Sequence, residues 1–359
     1  MGLADRTVRK MNSAFDGEDY GSEDGLLFCE TEEDARERLS RSAGKVLLVS
    51  DETACSAFAA IASHPRALSV VFDGDCLPLF SMPDGVSCVL ASGGSEVLHA
   101  ARYFAEVRGI SCTVYPALAT LEGAYELKGT LQLGGERTQV PLAECSVVCD
   151  VQRLKATFAR GYARLLLTRL ANFETRALSA FGIGQGAEPL PPFPETGEED
   201  ILRENANARL RERFAPVGEG ATLAKLLDAC GKPVPEWQAY LQLTSLYAAF
   251  FEKGKPRRYF TPDYRARAER AGTDYNLAGV PTAEEYVFRA MALERVRARF
   301  AREALSFVKE REAHCEKLSA WEQVSLHGGD LTFLKRLPEY EPHGLSAVIR
   351  DFGLMEWEL

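Results

Sequence analysis

Histidine is scarce in this chain of 359 residues: there are 5, and none falls between His99 and His314. That gap removes the commonest metal-binding side chain from the middle of the molecule. Positive charge is also in deficit, with 42 lysines and arginines against 52 acidic residues and a net charge of −10. This balance argues against a sequence-independent grip on nucleic acid or on an anionic membrane, and small ligands are expected instead. No apolar run approaches the roughly 18 residues that a bilayer-spanning helix needs. The opening MGLADRTVRKMNSAFDGEDYGSEDG lacks the apolar core of a secretory signal, so a cytoplasmic location is expected. The nine cysteines are odd in number and form no close-set framework, which points to reduced, mostly buried thiols. Cys145 and Cys149 share one strand face, but with no second pair or neighbouring histidine they read as small core side chains.

Apolar residues make up 46% and charged residues 26%, an ordinary globular composition, and the length suits two domains. The first 150 residues alternate strand-like and helical stretches. KVLLVS (45–50), ALSVVF (67–72), VSCVLA (86–91), SCTVYP (111–116) and CSVVCD (145–150) are valine-rich runs of the kind buried on both faces. DETACSAFAAIAS and SEVLHAARYFAEVRG read as helices, the second stopping at Gly109. Such alternation predicts a parallel sheet with right-handed crossovers. ELKGTLQLGGERTQV interrupts it with two alternating runs around Gly134 and Gly135, a β-hairpin.

After Val151 the pattern is almost pure helix. Leu166, Leu170, Phe173 and Ala177 recur at helical spacing, and a glycine- and proline-rich loop follows. The longest helix starts at the N-cap Thr282, with Phe288, Ala292, Val296, Phe300, Ala304 and Val308 along one stripe. The expected architecture is an α/β, Rossmann-like nucleotide-binding domain over residues 1–150, carrying the hairpin insertion, and an all-helical domain over 151–359. The cleft between the domains is the expected ligand site.

SGGSEVLHAARYFAEVRG, residues 92–109, joins an apolar strand to a helix through a glycine turn. Backbone N–H groups and the positive end of the helix then converge on one point, a physical recipe for binding phosphate. With its downstream neighbours, the stretch from about Lys45 to Leu178 resembles the iron-containing alcohol dehydrogenase and dehydroquinate synthase-like superfamily, nearest to its sn-glycerol-1-phosphate dehydrogenase branch. That family has a strand ending in a carboxylate, a GGG(S/K)xxDxAK segment around the pyrophosphate, and a VPT-type segment ending in D-G near the nicotinamide. The matching residues here are Asp51; Gly93, Gly94, Ser95, His99 and Arg102; and Pro116, Thr120, Glu122 and Gly123. The resemblance implies NAD as cofactor, with Asp51, Gly93, Gly94, Ser95, His99, Arg102 and Thr120 around it. Asp51 should accept from the adenine ribose hydroxyls and repel a 2′-phosphate, favouring NAD over NADP.

Several positions depart from that pattern. Ser95 replaces the third glycine, adding a hydroxyl donor, His99 replaces the aspartate, and Arg102 replaces the lysine with a forked cation. The family's hydride-transfer members hold a divalent cation with one aspartate and two histidines. Aligning ARGYARLLLTRLANFET places Gly161 on the family's glycine and Glu174 on its later acidic residue, and puts Arg164 on the metal-binding aspartate. Thr222 and Leu226 fall where the paired histidines belong. Val234, Pro235 and Glu236 replace the HGE that opens the next ligand helix, and His327 in LHGGD reads as a glycine-rich turn. A divalent metal is therefore expected to be absent.

Two functional readings follow. In the first, the chain is an NAD-dependent oxidoreductase of a polyol or polyol-phosphate, with Arg164 polarising the substrate in place of a metal and Glu122 and Tyr162 completing the catalytic set. In the second, it is an inactive relative that binds a nucleotide or a protein partner as a sensor or interaction module. The segment KGKPRRYFTPDYRARAER, 253–270, has a local excess of lysine and arginine suited either to a phosphorylated substrate or to a solvated helix face. Assembly into a homo-oligomer is left open.

Overall fold

The computed structural model describes residues 26–190, 197–212, 218–229, 236–254, 281–322 and 332–352. The chain divides into two compact units, Met1–Tyr162 with Pro194–Ala215 and Ala163–Phe193 with Pro216–Leu359. The first is an α/β unit and the second is helical.

The α/β unit is built on six parallel strands: β1 (Leu26–Phe28), β2 (Lys45–Ser50), β3 (Ala67–Val71), β4 (Val86–Gly93), β5 (Ser111–Pro116) and β8 (Ser146–Cys149). Their order across the sheet is β1-β8-β5-β4-β2-β3. The valine-rich runs supply five of these strands because a parallel sheet covered on both sides needs apolar side chains at successive positions. Val46, Leu47, Leu48, Val49, Val89 and Val147 are all buried. The expected hairpin is present as β6 (Lys128–Leu133) and β7 (Glu136–Pro141), paired antiparallel around Gly134 and Gly135.

Strand order fixes where a ligand can sit. The chain leaves β2 toward β3 on one side of the sheet and leaves β4 toward β5 on the other, although β2 and β4 are neighbours. Their crossovers therefore diverge, and the carboxyl ends of these two strands border the crevice that parallel α/β sheets use for ligands. Asp51 follows β2 directly and Gly93 ends β4.

Helices flank the sheet. Helix α1 (Thr31–Arg41) turns Ala35 and Leu39 into the core beside Phe58 and Tyr115. Helix α2 is the single turn Leu77–Phe80, and α3 (Ser95–Arg108) follows β4. Helix α3 starts at the N-cap Gly94 and stops at Gly109, whose φ of 62° is the left-handed conformation of a glycine C-cap. The helix expected over DETACSAFAAIAS is not formed; only the 3-10 turn Cys55–Phe58 appears there. The Asp51 side chain accepts from the Thr53 hydroxyl and the Ala54 N–H, and its carbonyl also accepts from Ala54. This local bonding commits the chain to three-residue turns.

After the short helix α4 (Val151–Leu154) comes α5 (Phe158–Ala180), within which the division between the units falls. Helix α6 (Glu198–Glu212) returns to the first unit. Asn205 donates to the Gly161 carbonyl at 3.0 Å, and the Arg203 guanidinium lies over the Phe28 ring. The second unit contains α7 (Glu219–Ala229), α8 (Glu236–Lys253), α9 (Ala283–Leu318), α10 (Thr332–Tyr340) and α11 (Leu345–Asp351). Leu166, Leu170, Phe173 and Ala177 of α5 are buried as their spacing predicts, and Phe173 packs against Tyr247, Phe251, Phe300 and Phe307. Thr282 caps α9 through a reciprocal bond with Glu285. Along the predicted stripe Ala292, Phe300 and Ala304 are buried, whereas Phe288 in the first turns is 49% exposed. Among the described residues no helix is long and apolar enough to cross a membrane.

The Tyr115 hydroxyl donates to Asp34 at 2.6 Å inside the sheet-to-α1 core, and Arg38 holds the same carboxylate. A buried hydrogen bond to a charged group contributes about 2 kcal/mol. Tyr115→Phe is therefore expected to lower unfolding stability by about that amount, read from urea denaturation.

Candidate functional site

The carboxyl ends of the neighbouring strands β2 and β4 bring together residues far apart in sequence. At Gly93 (φ 154°) a Cβ would lie 2.5 Å from Asp51 Oδ2, so the carboxylate comes this close only because no side chain is there. The next N–H, from Gly94, donates to Asp51 Oδ2 at 3.1 Å. Burial opposes the charged form of Asp51, but bonds from the Thr53 hydroxyl and from the Gly94 and Ala54 N–H groups outweigh it and hold the carboxyl below its usual range. Space beside Gly94 is open, and among the described residues no side-chain cap bond is made at the N-cap of α3. With the Gly94 N–H taken by Asp51, the N–H groups from Ser95 onward are what this helix start offers an anion.

The segment after β5 folds against this helix end. The Ala117 N–H donates to the Gly93 carbonyl at 3.0 Å. Gly123 (φ 86°) approaches so closely that a Cβ would lie 2.8 Å from the Ser95 Cα. Between them Thr120 is fully buried, and its hydroxyl has no hydrogen-bond partner among the described residues. Asp51, Gly93, Gly94, Ser95, Thr120 and Gly123 all lie in this one unit, joined through these contacts.

Two members of the expected cofactor set have other surroundings. Arg102 is fully buried. Its Nε donates to the Ala143 carbonyl at 2.8 Å, Nη1 to Gly123 at 2.6 Å and Nη2 to Glu126 at 2.6 Å. Its charge is spent on backbone inside the fold, because a lysine replaced by a fork can span three carbonyls. His99 lies under the hairpin, where a Cβ on Gly129 would meet its ring at 2.8 Å, with Nε2 3.9 Å from Glu126 Oε2. Burial would raise the Glu126 carboxyl, but the nearby His99 ring and the Gly123 N–H outweigh it and hold it at about 2.

Of the expected catalytic residues, Glu122 accepts from Arg209 Nη2 at 3.0 Å, and Arg160 lies 3.8 Å away. Tyr162 is buried in the first unit. Arg164 is buried on α5 in the second, where its carbonyl accepts from the Thr168 hydroxyl. Thr222, at a position where the resemblance calls for a metal ligand, donates instead to Glu341 at 2.5 Å. A guanidinium and a donating hydroxyl do not fit a cation, and among the described residues no group of three histidine, cysteine, aspartate or glutamate side chains could hold one. Val234, Pro235, His327 and residues 255–270 of the basic segment lie outside the described residues.

The helical unit contains an arrangement that the sequence did not announce. Tyr247 Oη lies 2.8 Å from Glu174 Oε1 and 2.6 Å from Glu219 Oε2. Glu219 also accepts from the Ser346 N–H and hydroxyl, and its own N–H donates to Glu174. One hydroxyl has one proton, so it donates to one carboxyl and accepts from the other, which must itself be protonated. Burial, and then the charge of Glu219, push Glu174 well above the usual carboxyl range; burial lifts Glu219 to about 7. The glycines flanking Glu219 were the available signal, since Cβ atoms at Gly218 and Gly220 would lie 2.3 and 2.4 Å from Ala171 and Leu167 on α5.

No family model matches the chain, and no curated protein matches it. Solved structures with a similar arrangement include a probable glycerol dehydrogenase from Sinorhizobium meliloti (16% identity, TM-score 0.46, covering 77% of this chain and 97% of that one). A glycerol dehydrogenase from Schizosaccharomyces pombe gives 12% identity and a TM-score of 0.45, covering 83% and 92%. An iron-containing alcohol dehydrogenase from Thermotoga maritima gives 11% and 0.45, covering 91% and 96%.

Two outcomes are expected. Arg102→Met leaves three carbonyls without their donor, two of them buried, and should cost roughly 3 kcal/mol or more in denaturant unfolding; unchanged stability would show that Arg102 does not hold these segments together. For the carboxyl pair, the folded state keeps protons that the unfolded chain loses above the ordinary glutamate value of 4.5. Stability should therefore fall as pH rises from there, at up to about 1.4 kcal/mol per pH unit for each retained proton. The share of Glu219 should end near pH 7, where its own proton leaves, and Glu219→Gln should remove that share from a pH series of melting curves.

Proposed function

We propose that the chain is an NAD-dependent oxidoreductase acting on a small polyol or polyol phosphate, without a divalent metal. The observation that carries the nucleotide part is the convergence, at the sheet's crossover divergence, of a carboxylate, a side-chain-free turn and an uncapped helix start. The residues fit the group: the open space at Gly94 would admit the pyrophosphate, Ser95 would face it with its backbone N–H and hydroxyl, and Asp51, which holds the Gly94 N–H, would meet the ribose. Bound NAD would supply the hydride acceptor. The oxidoreductase part is supported by the order of motifs between Lys45 and Leu178. In this reading Arg164 provides the fixed positive charge for the developing alkoxide, Tyr162 carries the proton, and Glu122 belongs to the same catalytic set.

A second reading, nucleotide held without turnover, is favoured by the burial of Arg102 and by the engagement of Glu122 with Arg209. The test separates them. NAD is expected to raise the melting temperature more than NADP, and Asp51→Asn should narrow the difference, because the carboxylate that repels a 2′-phosphate is gone. Oxidation of glycerol or glycerol 1-phosphate that persists in EDTA supports the enzyme; binding without turnover of either supports the second reading. If neither dinucleotide shifts the melt, the nucleotide assignment is wrong.

A further inference from the structure

The turn that closes on the start of α3 is conformationally expensive. Leu121 has φ 53°, the one positive value among the described non-glycine residues. A side chain in this left-handed region costs on the order of 1–2 kcal/mol and persists only where the surroundings over-determine it. They do so here through a residue distant in sequence. Arg209, on α6, is 7% exposed and spans the strained residue: Nε donates to the Thr120 carbonyl at 2.9 Å and Nη2 to Glu122 Oε1 at 3.0 Å. From the other side, Arg102 holds the Gly123 carbonyl and Glu126 accepts from the Gly123 N–H. The result is a turn clamped between two guanidinium groups, with Gly123 against Ser95 and the unpartnered Thr120 hydroxyl inside it.

We infer that Arg209 is a positioning residue of the nucleotide site. By gripping the residues on both sides of Leu121 it keeps the turn Thr120–Gly123 seated on the N-terminus of α3, so that turn and helix end form one preformed surface. This inference rests on the nucleotide-binding reading. Preorganisation of this kind raises affinity by removing the cost of ordering the site on binding. Arg209 need not touch the nucleotide; its effect passes through the backbone of Thr120 and the carboxylate of Glu122.

Calorimetric titration of the full chain with NAD, well below the melting temperature, tests the role. Arg209→Ala is expected to weaken NAD binding about tenfold, the equivalent of one lost charge-assisted bond. Arg209→Lys, which keeps a donor but not the fork, should recover part of the loss. The control is Arg203→Ala on the same helix, which removes the cation–π contact with Phe28 and leaves the turn untouched. It should lower stability and leave NAD affinity unchanged. If Arg209→Ala does not fold, Glu122→Gln removes the charge from the same clamp and should weaken binding several-fold. Wild-type affinity in Arg209→Ala or in Glu122→Gln, or an equal loss in Arg203→Ala, would overturn the positioning role. A wild-type protein that takes up no NAD would instead overturn the nucleotide reading, and the inference with it.

Discussion

A guanidinium with no access to water organises the α/β unit. Arg102 sits in the middle of α3 with all three nitrogens donating to main-chain carbonyls, at Gly123, Glu126 and Ala143. Burying a cation is tolerable only when every donor finds an acceptor, so these three stretches of backbone must arrive together or not at all. Because the same helix begins at the glycine turn, its fixed placement also fixes the turn relative to the chain after β5. Asp51, Ser95, Thr120 and Gly123 depend on that registration.

Charge is used economically throughout the described chain. Asp51 accepts from the start of the helix whose dipole favours an anion, and Glu122 is held by Arg209. In the helical unit two buried carboxyls are reconciled by a proton and a tyrosine instead of a cation. Each arrangement places a polar group where burial would otherwise forbid it, and each uses partners far apart in sequence.

The strands were legible because burial on both faces leaves an apolar imprint: KVLLVS and SCTVYP coincide with β2 and β5. The glycine turn was legible because strand, glycine pair and helix are contiguous, as was Thr282 with its partner Glu285 three residues on. The helix expected after Asp51 was not formed, since an aspartate that bonds its own following backbone competes with helical bonding. Arg209 was illegible. In NANARLRERF it looks like one more charge on a helix face, and nothing local distinguishes it from Arg211.

The sequence by itself determined the parallel α/β character of the first part, the hairpin, the helical second part and the glycine turn at Gly93 and Gly94, because each depends on periodicity or on contiguous residues. Tertiary structure alone decided that α6 returns to the first unit, that Arg102 faces inward, that Arg209 clamps a left-handed turn, and that Glu174 and Glu219 share a tyrosine. Hydrogen-bond complementarity between distant segments has no period and no fixed spacing. It exists only once the chain has closed on itself.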